Sequence, residues 1–148
     1  MEMKEFLSEY LVDLNLNAKT KEEAITKLCQ RLYDNGCITS VKDFVADVYE
    51  REEEGETGIG QDVAIPHGKS ENVIKTSLAI GRTETIDWEG EKHQPVEIII
   101  LFAVRLVDNT SVHLKLLSQV ASKLGNDDVL EQLKSAKLPS EVIDLFIN

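Results

Sequence analysis

Apolar positions along the chain fall into two periods, one helical and one strand-like, and the two kinds of segment interleave. From residue 24 onward Ala24, Ile25, Leu28, Cys29, Leu32 and Tyr33 recur at the spacing of one helix face. Thr20 with Glu23 forms a capping box in front of that stripe, and Asn35-Gly36 is a helix-ending pair. Ser40 with Asp43 opens a second helix by the same device, with Val41, Phe44, Val45, Val48 and Tyr49 as its apolar face. That helix runs out into the acidic stretch "EREEEGE", which leaves Arg51 at or just past its C-terminal end. Ahead of both helices, "YLVDLNLNA" alternates from Leu14 to Leu16 and predicts a first strand.

The middle of the chain changes period. "DVAIP", "TSLAIGR" and "VEIIILFAV" are β-prone runs separated by Gly, Asn and Asp. The last is a continuous apolar run from Ile98 to Val104, the pattern of a central strand covered on both faces. "DNTSVHLKLLSQVASKLG" then returns to helical spacing, with Leu114, Leu117, Val120, Ala121 and Leu124 predicted to face inward. His113 falls in its first turn, where unpaired backbone donors and the helix dipole favour an anion. Two shorter helices, "DDVLEQLKSA" and "SEVIDLFI", close the chain. With no repeat, low-complexity segment or linker, residues 1–148 predict a single α/β domain, a mixed β-sheet flanked by helices on both faces.

One segment breaks the pattern. In "TGIGQDVAIPHGKS", residues 57–70, an apolar run meets Ile65-Pro66 and is followed at once by His67. Proline fixes its own backbone and holds the preceding residue extended. The strand is therefore expected to stop at Pro66 and deliver His67 to a strand-end loop, with Gly68 leaving room beside it. A histidine so placed reads either as a reactive side chain or as a capped structural one.

Composition narrows the functions open to this chain. At 148 residues with 42% hydrophobic and 29% charged residues it is an ordinary globular composition for one domain. The net charge of -11 argues against nucleic acid and anionic membrane surfaces, and leaves basic protein partners open. Neither a signal peptide nor an apolar run long enough to cross a bilayer is visible, and two cysteines make no disulfide framework. The expectation is a cytoplasmic protein.

The residues that could carry chemistry are few. Of the three histidines, His93 lies in the polar connection "GEKHQP" and reads as a solvated loop residue. His113 in a helix first turn reads as a surface or packing residue. Local metal-ligand spacings, a nucleophile elbow and a Walker loop are all missing, and "TGIGQD" lacks the lysine of a nucleotide-phosphate loop. Cys37 precedes a helix start but reads as a small residue filling a turn, and Cys29 lies on an apolar helix face. The run Glu52, Glu53, Glu54 and Glu56 reads as a solvated helix end rather than as catalytic carboxylates.

"TGIGQDVAIPHGKSENV" resembles the signature of the fructose- and mannitol-type enzyme IIA domains of the bacterial phosphoenolpyruvate-dependent sugar phosphotransferase system. "AKTKEEAITKLCQRLYDNGCI", "YEREEEGETGIG", "DWEGEKHQPVEIIILFAV" and "HLKLLSQVASKL" follow in the family's order and spacing, so the resemblance covers nearly the whole chain. The nitrogen-related regulatory members share the motif and the fold. The resemblance implies that His67 accepts a phosphoryl group, and that Arg51 and His113 match the family's site arginine and second histidine. In one place the chain departs: Gln61-Asp62 stands where members often have Asn-Gly.

The implied chemistry suits these residue types. A neutral imidazole is a nucleophile near pH 7 and forms a phosphoramidate of high transfer potential. Phosphoryl transfer asks mainly for alignment and charge stabilisation, which an arginine fork and helix-start donors supply. The resemblance implies a donor, the histidine phosphocarrier protein, and an acceptor, the cysteine of an enzyme IIB component. It implies no metal or nucleotide cofactor. With no IIB or membrane segment in the chain, those components are expected on separate chains. "DWEGEKHQPVEIII" tilts the resemblance towards the sugar-transporting fructose branch, with a regulatory module of the nitrogen-related kind as the alternative.

Overall fold

A computed structural model describes residues 2–90 and 92–148. Two 3-10 turns, Met3–Phe6 and Glu9–Leu11, lead into the short strand β1, Val12–Asp13. The alternation at Leu14 to Leu16 does not extend that strand. The Asn15 amide donates to Asp13 Oδ1 at 3.0 Å, closing a turn there, and Asn17 takes a positive φ of 53°. The first strand thus lies two residues earlier than the alternation predicts.

Both helices that open on capping residues are present. Helix α1 spans Lys21–Asp34 and α2 spans Val41–Glu52, and the Thr20 and Ser40 hydroxyls accept from the Glu23 and Asp43 amides. Helix α1 is followed by Gly36 at φ +73°, the left-handed conformation that glycine adopts without a Cβ clash. Arg51 sits in the last turn of α2.

The strands β2 (Gly58–Gly60), β3 (Val63–Ala64), β4 (His67–Ser70), β5 (Ser77–Trp88) and β6 (Gln94–Arg105) complete one mixed sheet in the order β1-β5-β6-β3-β2. β6 is central: antiparallel to β5 along one edge, parallel to β3 and then to β4 along the other. Its side chains alternate between two cores. Ile99, Leu101 and Ala103 pack with α1 and α2, whereas Ile98, Ile100, Phe102 and Val104 pack with the C-terminal helices. Those are α3 (Thr110–Leu124), α4 (Asp127–Ser135) and α5 (Pro139–Ile147). The chain is one domain with helices on both faces of its sheet. No helix among the described residues is long and apolar enough to cross a membrane.

Helix α3 is rotated relative to the expected face. Leu116, Val120 and Leu124 are buried with Leu117 beside them, while Leu114 is 58% exposed and Ala121 faces out. The inward stripe therefore includes His113, one turn before Leu116 and Leu117.

Candidate functional site

His67 does not enter a loop. Pro66 lacks an amide proton, but its carbonyl accepts from the Phe102 amide at 2.9 Å, and the ladder on β6 resumes at once. His67 is the first residue of β4 and pairs with Phe102. The residue is only 6% exposed, its imidazole stacked on the Phe102 ring at 4.9 Å between centroids and 19° between planes. Gly68 leaves room for a different neighbour than His67. A Cβ there would lie 2.5 Å from Phe44 Cε1, so the glycine lets α2 press against β4 on the opposite face.

His113 meets His67 from α3. The ring centroids are 5.3 Å apart, with the planes inclined at 65°. Asn109 caps α3, its Oδ1 accepting from the Ser111 amide at 2.9 Å, and this sets the first turn that carries His113. His67 Nδ1 and His113 Nε2 are both sealed from solvent without a hydrogen-bond partner. Orphaned buried nitrogens cost free energy, and both lie on the pair of rings that face each other.

The electrostatics agree with the geometry. Burial first, and then the neighbouring His113, push the His67 imidazole down to about 4, with Arg51 adding to the shift and the Ile65 and Pro66 carbonyls opposing it. His113 is also lowered, by burial and then by the charges of Lys69 and Arg51. Both rings are therefore neutral at pH 7, and the Arg51 charge reaches each of them. One Arg51 nitrogen donates to the Gly55 carbonyl at 3.2 Å, and the side chain is half-exposed. Lys69, which spacing alone does not single out, is two residues along β4 and so projects to the same side as His67. Reading "HGKS" as a strand rather than a loop would have found it.

The remaining candidates stay apart. His93 lies on the β5–β6 turn, 69% exposed, with Nδ1 3.0 Å from Asp87 Oδ2, which raises its pKa. Eight strand residues, roughly 26 Å, separate that end of β6 from Phe102. Burial pushes the Cys29 thiol up to about 12, and Cys37 is buried as well. Among the described residues no group of three or more His, Cys, Asp and Glu side chains is gathered as a metal site needs.

The acidic run divides. Glu54 and Glu56 are exposed, but Glu52 is not part of a solvated helix end. Its side chain is 6% exposed and its Oε2 accepts from Lys21 Nζ at 2.7 Å, with Lys21 itself 7% exposed. The departure at Gln61-Asp62 is accommodated with both residues at positive φ, 57° and 67°, following Gly60 at 84°. The charge introduced at Asp62 is answered from α4, where Lys134 Nζ donates to Asp62 Oδ2 at 2.7 Å. The Asp62 carbonyl accepts from the Glu97 and Ile98 amides, which ties the turn to β6.

The mixed sheet thus brings together the buried imidazole of His67 and the partly buried imidazole of His113, both held below their ordinary pKa and both within reach of the Arg51 charge. The chain belongs to the family described as phosphoenolpyruvate-dependent sugar phosphotransferase system, EIIA 2, which matches residues 5–148. Components of this family are phosphotransferases that carry a phosphohistidine. The chain is 33% identical over 132 residues to the 2-O-alpha-mannosyl-D-glycerate-specific EIIABC component of Escherichia coli, covering 88% of this chain and 20% of that protein. It is 30% identical over 147 residues to the fructose-specific EIIABC component of Bacillus subtilis, covering 99% of this chain and 23% of that one. It thus spans about a fifth of the length of these relatives. Its fold is similar to that of the nitrogen regulatory protein IIA-Ntr of Neisseria meningitidis, with a TM-score of 0.86 at 28% identity over 96% of this chain and 97% of that one.

Proposed function

We propose that this chain is the phosphocarrier of a fructose-like sugar uptake system, accepting a phosphoryl group on His67 and passing it to an enzyme IIB cysteine. The observation that carries the reading is the state of His67: buried, neutral and facing His113, with Nδ1 sealed. With Nδ1 sealed, Nε2 is taken as the attacking nitrogen. A neutral imidazole offers its lone pair to phosphorus, and keeping the pKa down to about 4 keeps that lone pair free at pH 7.

In the accepting step Nε2 bonds to phosphorus as the donor's phosphorus–nitrogen bond breaks, with the bonding pair left on the donor's imidazole. One proton leaves the His67 ring and one is taken up by the donor, so the balance closes. In this reading Arg51 holds the phosphoryl oxygens through its fork. His113 and the first amides of α3 stabilise the charge that develops as the group moves. The donor is the histidine phosphocarrier protein, the compartment is the cytoplasm, and residues 1–148 act as one EIIA unit.

The similarity to IIA-Ntr favours a second reading, in which phosphorylation of the same site controls partner proteins. Reconstitution with phosphoenolpyruvate, enzyme I, the histidine phosphocarrier and candidate IIB proteins separates the two. Chase of the label onto a IIB cysteine supports transport. A charged protein that passes its phosphate to no sugar-type IIB supports the regulatory reading.

A further inference from the structure

Next to Arg51 the chain buries an ion pair, although two charges withdrawn from water are often no more stabilising than apolar residues of similar volume. Lys21, at the start of α1, reaches Glu52 at the end of α2 and also donates to the Glu89 carbonyl at 3.3 Å. Its Nζ lies 5.1 Å from the centroid of the Trp88 ring and 5.9 Å from that of Tyr49. The second Glu52 oxygen, Oε1, accepts from the Thr57 hydroxyl, and that hydroxyl in turn accepts from Trp88 Nε1 at 3.2 Å. Both carboxylate oxygens are therefore committed, in a pocket that Thr57 and Trp88 close.

The two ends of this network matter more than its middle. At one end, Glu52 is the neighbour of Arg51 in the last turn of α2. At the other, the Thr57 carbonyl accepts from the Ile65 amide at 2.9 Å, two residues before His67. The residues between, 53–56, form the surface turn from α2 into the β2–β3 segment that leads to His67. Glu52 spans that turn with a single side chain.

We infer that Lys21, Glu52 and Thr57 are positioning residues, a buried clamp that fixes the end of α2 bearing Arg51 against the segment bearing His67. The clamp touches no phosphoryl group. It acts through Arg51 and Ile65, and its consequence for transfer rests on the phosphocarrier reading. A fork that must meet phosphate oxygens tolerates little displacement, and misplacement by about 1 Å costs on the order of a hundredfold in rate.

The test compares Thr57→Val, which removes one hydroxyl at constant shape, with Thr57→Ser, which keeps it. Alongside is the double variant Lys21→Met/Glu52→Leu, which replaces the ion pair by apolar residues and leaves no lone buried charge. Two quantities are read on folded protein: the His67 imidazole titration by NMR, and the single-turnover rate of transfer from the histidine phosphocarrier. Thr57→Val and the double variant are expected to titrate at higher pH than the parent, as the Arg51 charge draws away from His67. They are also expected to transfer roughly ten- to a hundredfold more slowly at saturating partner, with the half-saturating partner concentration unchanged. Thr57→Ser should match the parent in both. An unchanged His67 titration in the folded double variant or in Thr57→Val overturns the clamp. Should the parent itself take up no phosphoryl group, the phosphocarrier reading fails and the titration alone decides the clamp.

Discussion

At the scale of single residues, the division of work proposed for His67, Arg51 and His113 rests on where each is held. His67 lies on a strand, fixed by β6 and stacked on Phe102, whereas Arg51 and His113 come from helix ends that converge on it. Of the two facing imidazoles, His67 is the more deeply buried. His113→Ala is accordingly expected to accept the phosphoryl group and to pass it on slowly, seen as label that persists when IIB is added. Arg51→Lys keeps the charge but loses the paired donors, so single-turnover transfer to IIB should slow while the circular dichroism stays that of the parent. Parental rates in either variant would remove that residue from the site. As candidates these three residues were legible in the sequence through the family motif. Lys69 and Glu52 were not, because one needs the strand assignment of "HGKS" and the other needs Lys21, 31 positions away.

At the scale of elements, what could be read was what is local. The Thr20 and Ser40 caps, the glycine after α1 and the doubly covered β6 each depend on neighbours within a turn or on one strand's own composition. What failed depends on pairing across the chain. β4 exists because β6 offers its edge beyond Pro66, and the rotation of α3 is set by the face of β6 that it covers. Gly68 shows the difference in energy terms. Its lack of a side chain serves the packing of Phe44 and Val48 rather than the mobility of His67. Gly68→Ala must push Phe44 aside, and is expected to cost about 1–3 kcal/mol in urea unfolding, the range of an overpacked core. A variant as stable as the parent would mean that α2 is free to move off β4.

At the scale of the whole molecule, the fold keeps His67 neutral at the expense of stability in acid. In the unfolded chain His67 protonates around its ordinary 6.5, whereas in the fold it does so only at about 4, chiefly through burial. Above pH 6.5 neither state binds the proton and the group contributes nothing. Between 6.5 and 4 only the unfolded state gains it, so stability falls as pH falls, and below 4 the loss from this group is complete. His113, shifted in the same direction, adds to that slope. Urea unfolding at pH 7 and pH 5 should therefore show a larger drop for the parent than for His67→Ala; equal drops would mean that His67 titrates normally. The most direct test of the account as a whole is the bond that His67 forms. Incubation with phosphoenolpyruvate, enzyme I and the histidine phosphocarrier should add one phosphoryl group per chain, labile in acid and stable in alkali, lost entirely in His67→Ala and kept in His93→Ala. Label that survives acid, or that remains in the His67 variant, would contradict it.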